Sequence, residues 1–287
     1  MSALGPGAVD AIIALALSED APYGDVTSRA FVPADAQAVA DLVAREDGVL
    51  AGGDVFARAM RALDDDVRVE VCRADGERFV AGEVLAVVEG AARSVLQCER
   101  VALNLVQRMC GVATTTAAYV AAAAGRARVV DTRKTTPGLR VLERHAVRCG
   151  GGHNHRSGLS DAVMAKDNHL AVLAARTGDL TAALRAAAAD LPHTMHVEVE
   201  VDRLDQIEPV LASGVVDTIM LDNFGLEELR EGVRRVGGRA VVEASGGVTL
   251  ATIGDIAATG VDVVSVGAIT HGVRSLDLGL DVRVHEG

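Results

Sequence analysis

Two shortages narrow the functions open to this chain of 287 residues. Aromatic side chains make up 2% of the residues and tryptophan is absent, which excludes the stacking surfaces that bind single-stranded nucleic acid. The formal net charge is -12, and an acidic protein is a poor partner for a nucleic-acid backbone. No run of 18 apolar residues occurs, so no segment is predicted to span a membrane. We therefore expect neither a nucleic acid nor a membrane as a partner.

Cysteine is also scarce, and its spacing excludes two further kinds of site. The four cysteines form no CxxC pair of the type that binds zinc or carries redox chemistry. Scattered single cysteines are typical of reduced core residues in the cytosol. The apolar stretch 11–17 has no basic residue before it and no cleavage-like site after it, so it is not a signal peptide. We expect a cytoplasmic protein.

The hydrophobic residues that are present, 49% of the chain, suffice for one large or two modest domains. Residues 9–17 predict a helix, and residues 36–89 alternate between apolar and polar side chains in short segments, which predicts a small antiparallel sheet. Residues 76–90 are similar to the hairpin of lipoyl- and biotinyl-carrier domains. Those domains modify a lysine, and no lysine precedes Lys134. A sandwich without a carrier arm is the better interpretation.

The middle of the chain has a helical pattern over residues 91–125. Gly111, followed by threonines at 114–116, predicts a break and a second helix. Pro137 is suited to the first turn of a further helix that ends at Cys149. Three glycines follow, at 150–152, and they either bring the backbone close to a ligand or form a helix cap and a turn.

After Gly125 the pattern becomes an alternation of strands and helices, which indicates a parallel sheet. Six strand–helix units fit between residues 128 and 272, fewer than the eight of a complete barrel. We predict an incomplete α/β barrel, with a doubly wound sheet as the alternative, although no GxGxxG follows the first strand. The tail 276–284 alternates like a strand and is expected to return to the N-terminal sheet. The predicted strands are 128–131, 162–166, 196–201, 215–221, 240–244 and 262–266.

Lysine is the scarcest charged residue, because only Lys134 and Lys166 among the 28 basic residues are lysine. Each follows an apolar run that resembles a strand, and barrel enzymes place catalytic groups at strand ends. These lysines therefore indicate positions where a compact ammonium is needed. Basic residues are also concentrated around Lys134, and a local cation excess in an acidic protein indicates a bound anion. The concentrated cations are Arg126, Arg128, Arg133, Lys134, Arg140, Arg144, Arg148 and Arg156.

Carboxylates and glycines end the other predicted strands. Glu198 and Glu200 alternate on one face of a strand, and Asp222 ends the next. Such carboxylates either bind Mg²⁺ and stabilise positive charge or simply neutralise the arginines. The loops after the last two strands predict a phosphate site, since barrels bind phosphate with backbone N–H groups there. The loop residues are Ser245, Gly246, Gly247 and Gly267.

The pair His153 and His155 supports a rival hypothesis, because an HxH pair together with a lysine and an aspartate on a barrel is also the ligand set of amidohydrolase-type metal hydrolases. In such enzymes the HxH ends a strand. Here no apolar strand precedes it, so metal ligation is the weaker interpretation. A non-catalytic anion-binding protein would need the cations but not Glu200 and Asp222.

Several motifs together closely resemble the quinolinate phosphoribosyltransferase family. They are EDAPYGDVTS, AREDGVLAG, ERVALNLVQRMCGVAT, DTRKTTPGLR, AVRCGGGHNHRSGLSDAVMAKDNH, HVEVEVD, IMLDNF, VEASGGVTL and VDVVSVGAITH, and they cover nearly the whole chain. Relatives in a molybdenum-associated group share the fold, but the KDNH block at 166–169 favours the quinolinate enzymes. A paralogous role in secondary metabolism stays open.

The resemblance implies an N-terminal α/β sandwich and an incomplete, six- to seven-stranded α/β barrel. We predict the sandwich at residues 1–110, joined by the tail 273–287, and the barrel at residues 111–272. It also implies a homodimer in which the sandwich of one subunit covers the barrel mouth of the other, with further assembly left open. The implied reaction converts quinolinate and phosphoribosyl pyrophosphate to nicotinate mononucleotide, pyrophosphate and CO₂ with Mg²⁺, in NAD biosynthesis.

The resemblance also implies a role for each matched residue. Arg133, His155 and Arg156 bind the quinolinate carboxylates, with Arg100 reaching in from the partner subunit. Lys134 and Lys166 act on the substrate anions, while Glu200 and Asp222 serve the ribose and the Mg²⁺. The 5-phosphate is bound by Ser245, Gly246, Gly247 and Gly267. One departure is His153, where the family has a small apolar residue; it alters the pocket or faces solvent.

Overall fold

The computed structural model describes residues 4–284, except for the side chains of residues 174, 176, 177 and 284. The chain forms two compact units that interleave along the sequence. The first unit comprises Met1–Ala117, Thr135–Gly151 and Ile269–Gly287, and the second comprises Ala118–Lys134 and Gly152–Ala268. The predicted division at residues 110/111 and 272/273 stays a prediction, and its outer limits, 1 and 287, lie outside the described residues.

The helices and strands are numbered in chain order. The helices are α1 (Pro6–Asp20), α2 (Val26–Phe31), α3 (Gly53–Arg61), α4 (Ala92–Ala123), α5 (Arg140–Cys149), α6 (Asp167–Thr177), α7 (Leu180–Ala188), α8 (Ile207–Ala212), α9 (Leu226–Val236), α10 (Ile253–Ala257) and α11 (Ala268–His271). The strands are β1 (Gln37–Ala44), β2 (Gly48–Val49), β3 (Arg68–Val71), β4 (Arg78–Phe79), β5 (Val84–Ala91), β6 (Arg128–Val130), β7 (Val163–Ala165), β8 (Val197–Val201), β9 (Thr218–Asp222), β10 (Val241–Ser245), β11 (Val263–Ser265) and β12 (Leu278–Val284).

The first unit is built on an antiparallel sheet in the order β12-β1-β5-β3. β1 alternates along its length, burying Ala38, Ala40, Leu42 and Ala44 and turning the intervening side chains outward. This period of two is the pattern that predicted the small sheet. The tail strand β12 pairs with β1, as in Leu42 opposite Leu280, so the predicted return of the tail to this sheet is confirmed.

The predicted break in the long helix is wrong, because α4 continues through Gly111. A Cβ atom at position 111 would lie 2.2 Å from the carbonyl oxygen of Arg274. Glycine is therefore needed there for the close approach of another backbone, and it does not end the helix. The later helix also begins at Arg140 and not at Pro137, since the backbone N–H of Thr136 donates to Glu143 Oε2 over 3.1 Å and holds the preceding residues in a turn.

The second unit is built on a parallel sheet in the order β6-β11-β10-β9-β8-β7, and all six predicted strands are confirmed. Each side chain of β8 is buried, as expected for a parallel strand covered on both faces. A short segment at His153 pairs in parallel with Val130, next to β6, so the row carries a partial seventh strand. The incomplete barrel predicted from the repeat count is confirmed. Nowhere within residues 4–284 is a helix long and apolar enough to cross a bilayer.

Candidate active site

A cavity of about 500 Å³ opens among the ends of the parallel strands in the second unit. Most residues predicted for the site line it, whereas Arg100, on α4, and Gly267 do not belong to the lining. The predicted residues that line it are Arg133, Lys134, His155, Arg156, Lys166, Glu200, Asp222, Ser245, Gly246 and Gly247. The residues that sequence reasoning missed are Thr132, Met164, Met220, Asn223, Glu243 and Ser265.

The end of β7 meets the end of β8 in an ion pair. Lys166 Nζ lies 2.6 Å from Glu200 Oε2, and the lysine side chain is 46% exposed while the glutamate side chain is 10% exposed. The ammonium therefore has a fixed partner on one side and open cavity on the other. An incoming phosphate or carboxylate group can bind this ammonium on its open side, because Glu200 already holds the lysine in place.

The segment that carries His155 and Arg156, before β7, is held in place by the buried carboxylate of Asp131. Asp131, which is fully buried, accepts hydrogen bonds from Asn154 Nδ2 over 2.6 Å and from the backbone N–H of His155 over 2.7 Å. These bonds hold His155 and Arg156 at the cavity wall. His153 is exposed and does not line the cavity, so of the two outcomes left open for this departure, the structure supports the solvent-facing one.

The His155 ring has protein partners at both nitrogen atoms. Its Nδ1 accepts the backbone N–H of Arg156 over 2.7 Å. Its Nε2 lies 3.1 Å from Glu198 Oε2 and 3.4 Å from Glu243 Oε2. Because Nδ1 acts as an acceptor, the ring hydrogen belongs to Nε2, which donates to the two carboxylates.

The His155 ring and the Glu198 carboxyl hold protons more tightly than isolated groups would. Burial lowers the pKa of His155, but the hydrogen bonds and charges of Glu198 and Glu243 outweigh it and raise that pKa to about 10. Burial raises the pKa of Glu198 above its ordinary value. The Arg156 N–H that points at Nδ1 opposes a second proton on the ring. The extra proton therefore belongs to the Glu198 carboxyl.

The loops after β9 and β10 touch at an unusual backbone position. Asn223 has a φ of 59°, in the left-handed region that few non-glycine residues adopt. Its backbone N–H donates to the carbonyl oxygen of Ser245 over 3.0 Å, and its Nδ2 donates to Asp222 Oδ2 over 2.7 Å. A Cβ atom at Gly246 would lie 2.2 Å from Asn223 Oδ1, so only glycine allows this approach. Asn223 thus fixes the Asp222 carboxylate and the glycine loop together.

The predicted HxH metal site is not formed in the structure. The residues with ligand-type atoms close enough to share an ion in this unit are His155, Glu198 and Glu243, and His153 is not among them in the described part of the chain. The hydrolase hypothesis therefore loses its ligand set. An incomplete α/β barrel whose strand ends combine cations, two carboxylates and a glycine loop defines an enzyme that binds multiply anionic, phosphorylated substrates.

Comparison with known proteins narrows this class. Residues 25–110 match the N-terminal domain, and residues 112–281 the C-terminal domain, of quinolinate phosphoribosyl transferase. The nicotinate-nucleotide pyrophosphorylase (carboxylating) of Mycobacterium leprae is 46% identical over 277 residues, which cover 93% of this chain and 94% of that protein. The chain belongs to the quinolinate phosphoribosyl transferase family.

Solved structures agree in fold over the full length of the chain. The crystal structure of NadC from Streptococcus pyogenes is 40% identical, covers 100% of both chains and has a TM-score of 0.94. The nicotinate-nucleotide pyrophosphorylase from Francisella tularensis is 34% identical, covers 98% of both chains and has a TM-score of 0.90. The predicted fold class, an α/β sandwich with an incomplete barrel, is confirmed.

Proposed function

We propose that this chain is a type II phosphoribosyltransferase that converts quinolinate and phosphoribosyl pyrophosphate to nicotinate mononucleotide, pyrophosphate and CO₂, a step of de novo NAD biosynthesis. One observation carries the proposal: the cavity in the second unit brings two lysines and two arginines together with three carboxylates and a glycine loop. Two polyanionic substrates bound side by side require such a concentration of cations. The carboxylates would be superfluous in a site that only bound anions.

The quinolinate site lies around Arg133 and Arg156, with His155 beside them. Quinolinate carries two adjacent carboxylates, and a guanidinium can bind a carboxylate through two parallel hydrogen bonds. Asp131 holds the segment that bears His155 and Arg156, so the guanidinium of Arg156 is offered from a fixed backbone. Lys134 and Lys166 complete the cationic wall and bind the anionic groups of both substrates.

The phosphoribosyl site lies on the opposite side of the cavity. Ser245, Gly246 and Gly247 form the loop after β10, and their backbone N–H groups bind the 5-phosphate together with Gly267. The transfer step builds positive charge on the ribose as its bond to pyrophosphate breaks. Glu200, one residue before the end of β8, and Asp222, which ends β9, both line the cavity and would stabilise that charge.

Magnesium is the proposed cofactor, held by Glu200 and Asp222. Carboxylate oxygens are the hard donors that Mg²⁺ prefers, and proteins often hold this ion with one or two carboxylates plus substrate phosphates. The bond from Asn223 Nδ2 leaves the second oxygen of Asp222 available. When bound, the ion neutralises charge on the leaving pyrophosphate. Loss of CO₂ then leaves an electron pair next to a ring nitrogen that has become cationic, which stabilises the product of decarboxylation.

A homodimer with a shared site is the proposed assembly, because Arg100 matches a substrate-binding position of the family yet does not line the cavity of its own chain. Arg100 lies on α4 in the first unit and is exposed. If a partner subunit supplies this arginine, mixing inactive Arg100→Ala and inactive Lys166→Ala subunits should restore activity. Proven subunit exchange without recovery would refute the shared site. Further pairing of dimers and a cytoplasmic location remain predictions.

The direct test of the function is a product assay. Purified protein is incubated with quinolinate, phosphoribosyl pyrophosphate and Mg²⁺, and nicotinate mononucleotide, pyrophosphate and CO₂ are measured. We expect the three products in equal amounts, and no turnover when Mg²⁺ is removed with a chelator. Lys166→Ala serves as the matched inactive control. Pyrophosphate release without the mononucleotide would show that the chain hydrolyses its donor and does not transfer the ribosyl group.

A further inference from the structure

Two buried carboxylates near the cavity have no role in the proposed reaction. Glu198 on β8 and Glu243 on β10 are each 3% exposed. Their Oε2 atoms face His155 Nε2, and the Oε1 atom of each is buried without a hydrogen-bond partner in the described part of the chain. Buried acceptors without partners are unfavourable for folding, so their retention points to a role other than stability.

The ligand-type atoms of His155, Glu198 and Glu243 all lie within 4.8 Å of one another, a spacing that would allow them to share a metal ion. The hydrogen bond from the Arg156 backbone decides against it. Since Nδ1 accepts that N–H, the hydrogen of the neutral ring is on Nε2, the atom that faces the carboxylates. A metal would require the Nε2 lone pair, which this tautomer does not offer.

The tautomer gives His155 a different function. Its Nε2–H is directed at Glu198 and Glu243, so these two carboxylates hold the ring before a substrate enters the cavity. Its Nδ1 in turn fixes the backbone N–H of Arg156. The Arg156 side chain is oriented from that backbone, and its Nη1 donates to the carbonyl oxygen of Ala162 over 3.2 Å.

We propose that Glu198 and Glu243 are positioning residues for quinolinate binding, which act by holding His155 so that it fixes the backbone and the direction of Arg156. The proposal rests on the proposed function, because it assumes that Arg156 binds a quinolinate carboxylate.

The test compares Glu243→Ala and Glu243→Gln with the control Asp262→Asn. Asp262 Oδ2 accepts the backbone N–H of Val242 over 2.8 Å, so it supports the same strand from its other end and does not line the cavity. For each protein, kcat and the KM of each substrate are measured, together with the Kd of quinolinate by calorimetry and the thermal unfolding midpoint.

Misplacing a guanidinium by about 1 Å costs on the order of 100-fold, so Glu243→Ala should raise the KM and Kd of quinolinate about 10- to 100-fold. The KM of phosphoribosyl pyrophosphate should change by less than about twofold, since that substrate binds on the other side of the cavity. Glu243→Gln should recover much of the quinolinate affinity, because its amide oxygen can accept the Nε2–H. Asp262→Asn should leave both KM values unchanged.

Three results would overturn the proposal. The first is a wild-type quinolinate KM in Glu243→Ala while the wild-type enzyme is active. The second is an equal loss of affinity for both substrates, which would indicate general unfolding. The third is an ¹⁵N NMR spectrum, assigned by its loss in His155→Gln, that places the ring hydrogen on Nδ1. A wild-type protein without any transferase activity would instead refute the proposed function, so the two failures can be told apart.

Discussion

Each unit contains a cluster in which an imidazole meets a carboxylate, and the two clusters differ in how their carboxylate oxygens are satisfied. In the first unit Asp75 Oδ1 accepts the backbone N–H groups of Gly52 and Gly53, each over 3.0 Å, and Oδ2 lies 2.6 Å from His145 Nε2. Both carboxylate oxygens therefore have partners. In the second unit Glu198 and Glu243 each keep one buried oxygen that has no partner among the described residues.

The difference separates a structural cluster from a functional one. Asp75 ties a turn to helix α5 and leaves no carboxylate oxygen for a ligand. The neighbouring Cys149 is equally unsuited to metal binding, because burial raises the pKa of its thiol to about 12 and a metal needs the thiolate. In the cluster of His155, Glu198 and Glu243, by contrast, the unpaired buried oxygens lower the free energy of unfolding. His145 Nδ1 is also buried without a partner among the described residues, so it is the carboxylate oxygens alone that distinguish the two clusters.

The largest expected effect is the loss of kcat/KM when the lysines of the cavity are replaced. Lys166→Arg and Lys134→Arg should each lower kcat/KM on the order of 100- to 1,000-fold, because a planar guanidinium cannot place a compact charge at the same point. The reverse exchange at a surface ion pair, Arg239→Lys beside Glu208, is the control and should leave kcat/KM unchanged. Steady-state kinetics check the activity, and thermal unfolding checks that all three variants fold. Near wild-type turnover in both lysine variants would disprove the requirement for lysine.

The second expectation concerns substrate choice. A site built from Arg133 and Arg156, joined in the proposed dimer by Arg100 of the partner subunit, should prefer quinolinate to nicotinate, which has one carboxylate. Once a substrate fills the cavity and excludes water, leaving a guanidinium without its charged partner costs roughly 2 to 5 kcal/mol, or on the order of 30-fold to several thousand-fold in kcat/KM. Arg156→Ala should lower the ratio of the two kcat/KM values, because it should impair the reaction of quinolinate more than that of nicotinate. Comparable kcat/KM values for both acids in the wild type would show that the cations do not form a dicarboxylate site.

The sequence predicted the parts of this fold that depend on local pattern. The six parallel strands were predicted because each is a short apolar run that ends in a polar residue or glycine. Tertiary constraints account for the errors, since Gly111 is a packing requirement set by Arg274, far away in the chain. Asn223 and Glu243 were missed for the same reason: a φ of 59° and a contact with His155 are invisible until the strands are assembled. Glu198 was singled out only because it lies on the same face of a predicted strand as Glu200.

The third expectation concerns the contribution of the Asp75–His145 cluster to stability. Asp75→Ala should lower the free energy of unfolding by about 2 to 4 kcal/mol, because two backbone N–H groups and His145 lose a partly buried acceptor. The kcat/KM of the folded fraction should stay unchanged, unlike that of the pocket variants. Asp54→Ala, which removes only an exposed ion pair with Arg58, should change stability by less than about 0.5 kcal/mol. Urea unfolding measures both, and a loss of activity without a loss of stability in Asp75→Ala would reverse the assignment.

The smallest expected effect is the acid dependence of that same cluster. Burial raises the pKa of Asp75, but its hydrogen bonds with His145, Gly53 and Gly52 outweigh burial, so the pKa of the folded protein lies below its ordinary value. A carboxyl whose pKa is lowered by folding stabilises the protein above its unfolded pKa of about 3.9, and this contribution is lost as the pH falls through the folded pKa. Asp75→Asn cannot ionise and so lacks this contribution at every pH. The stability gap between wild type and Asp75→Asn should therefore be largest above about pH 5 and shrink as the pH falls below about 4. Urea midpoints at several pH values above and below these limits measure the gap, and a gap that stays constant would mean that the Asp75 carboxylate charge does not contribute to the cluster.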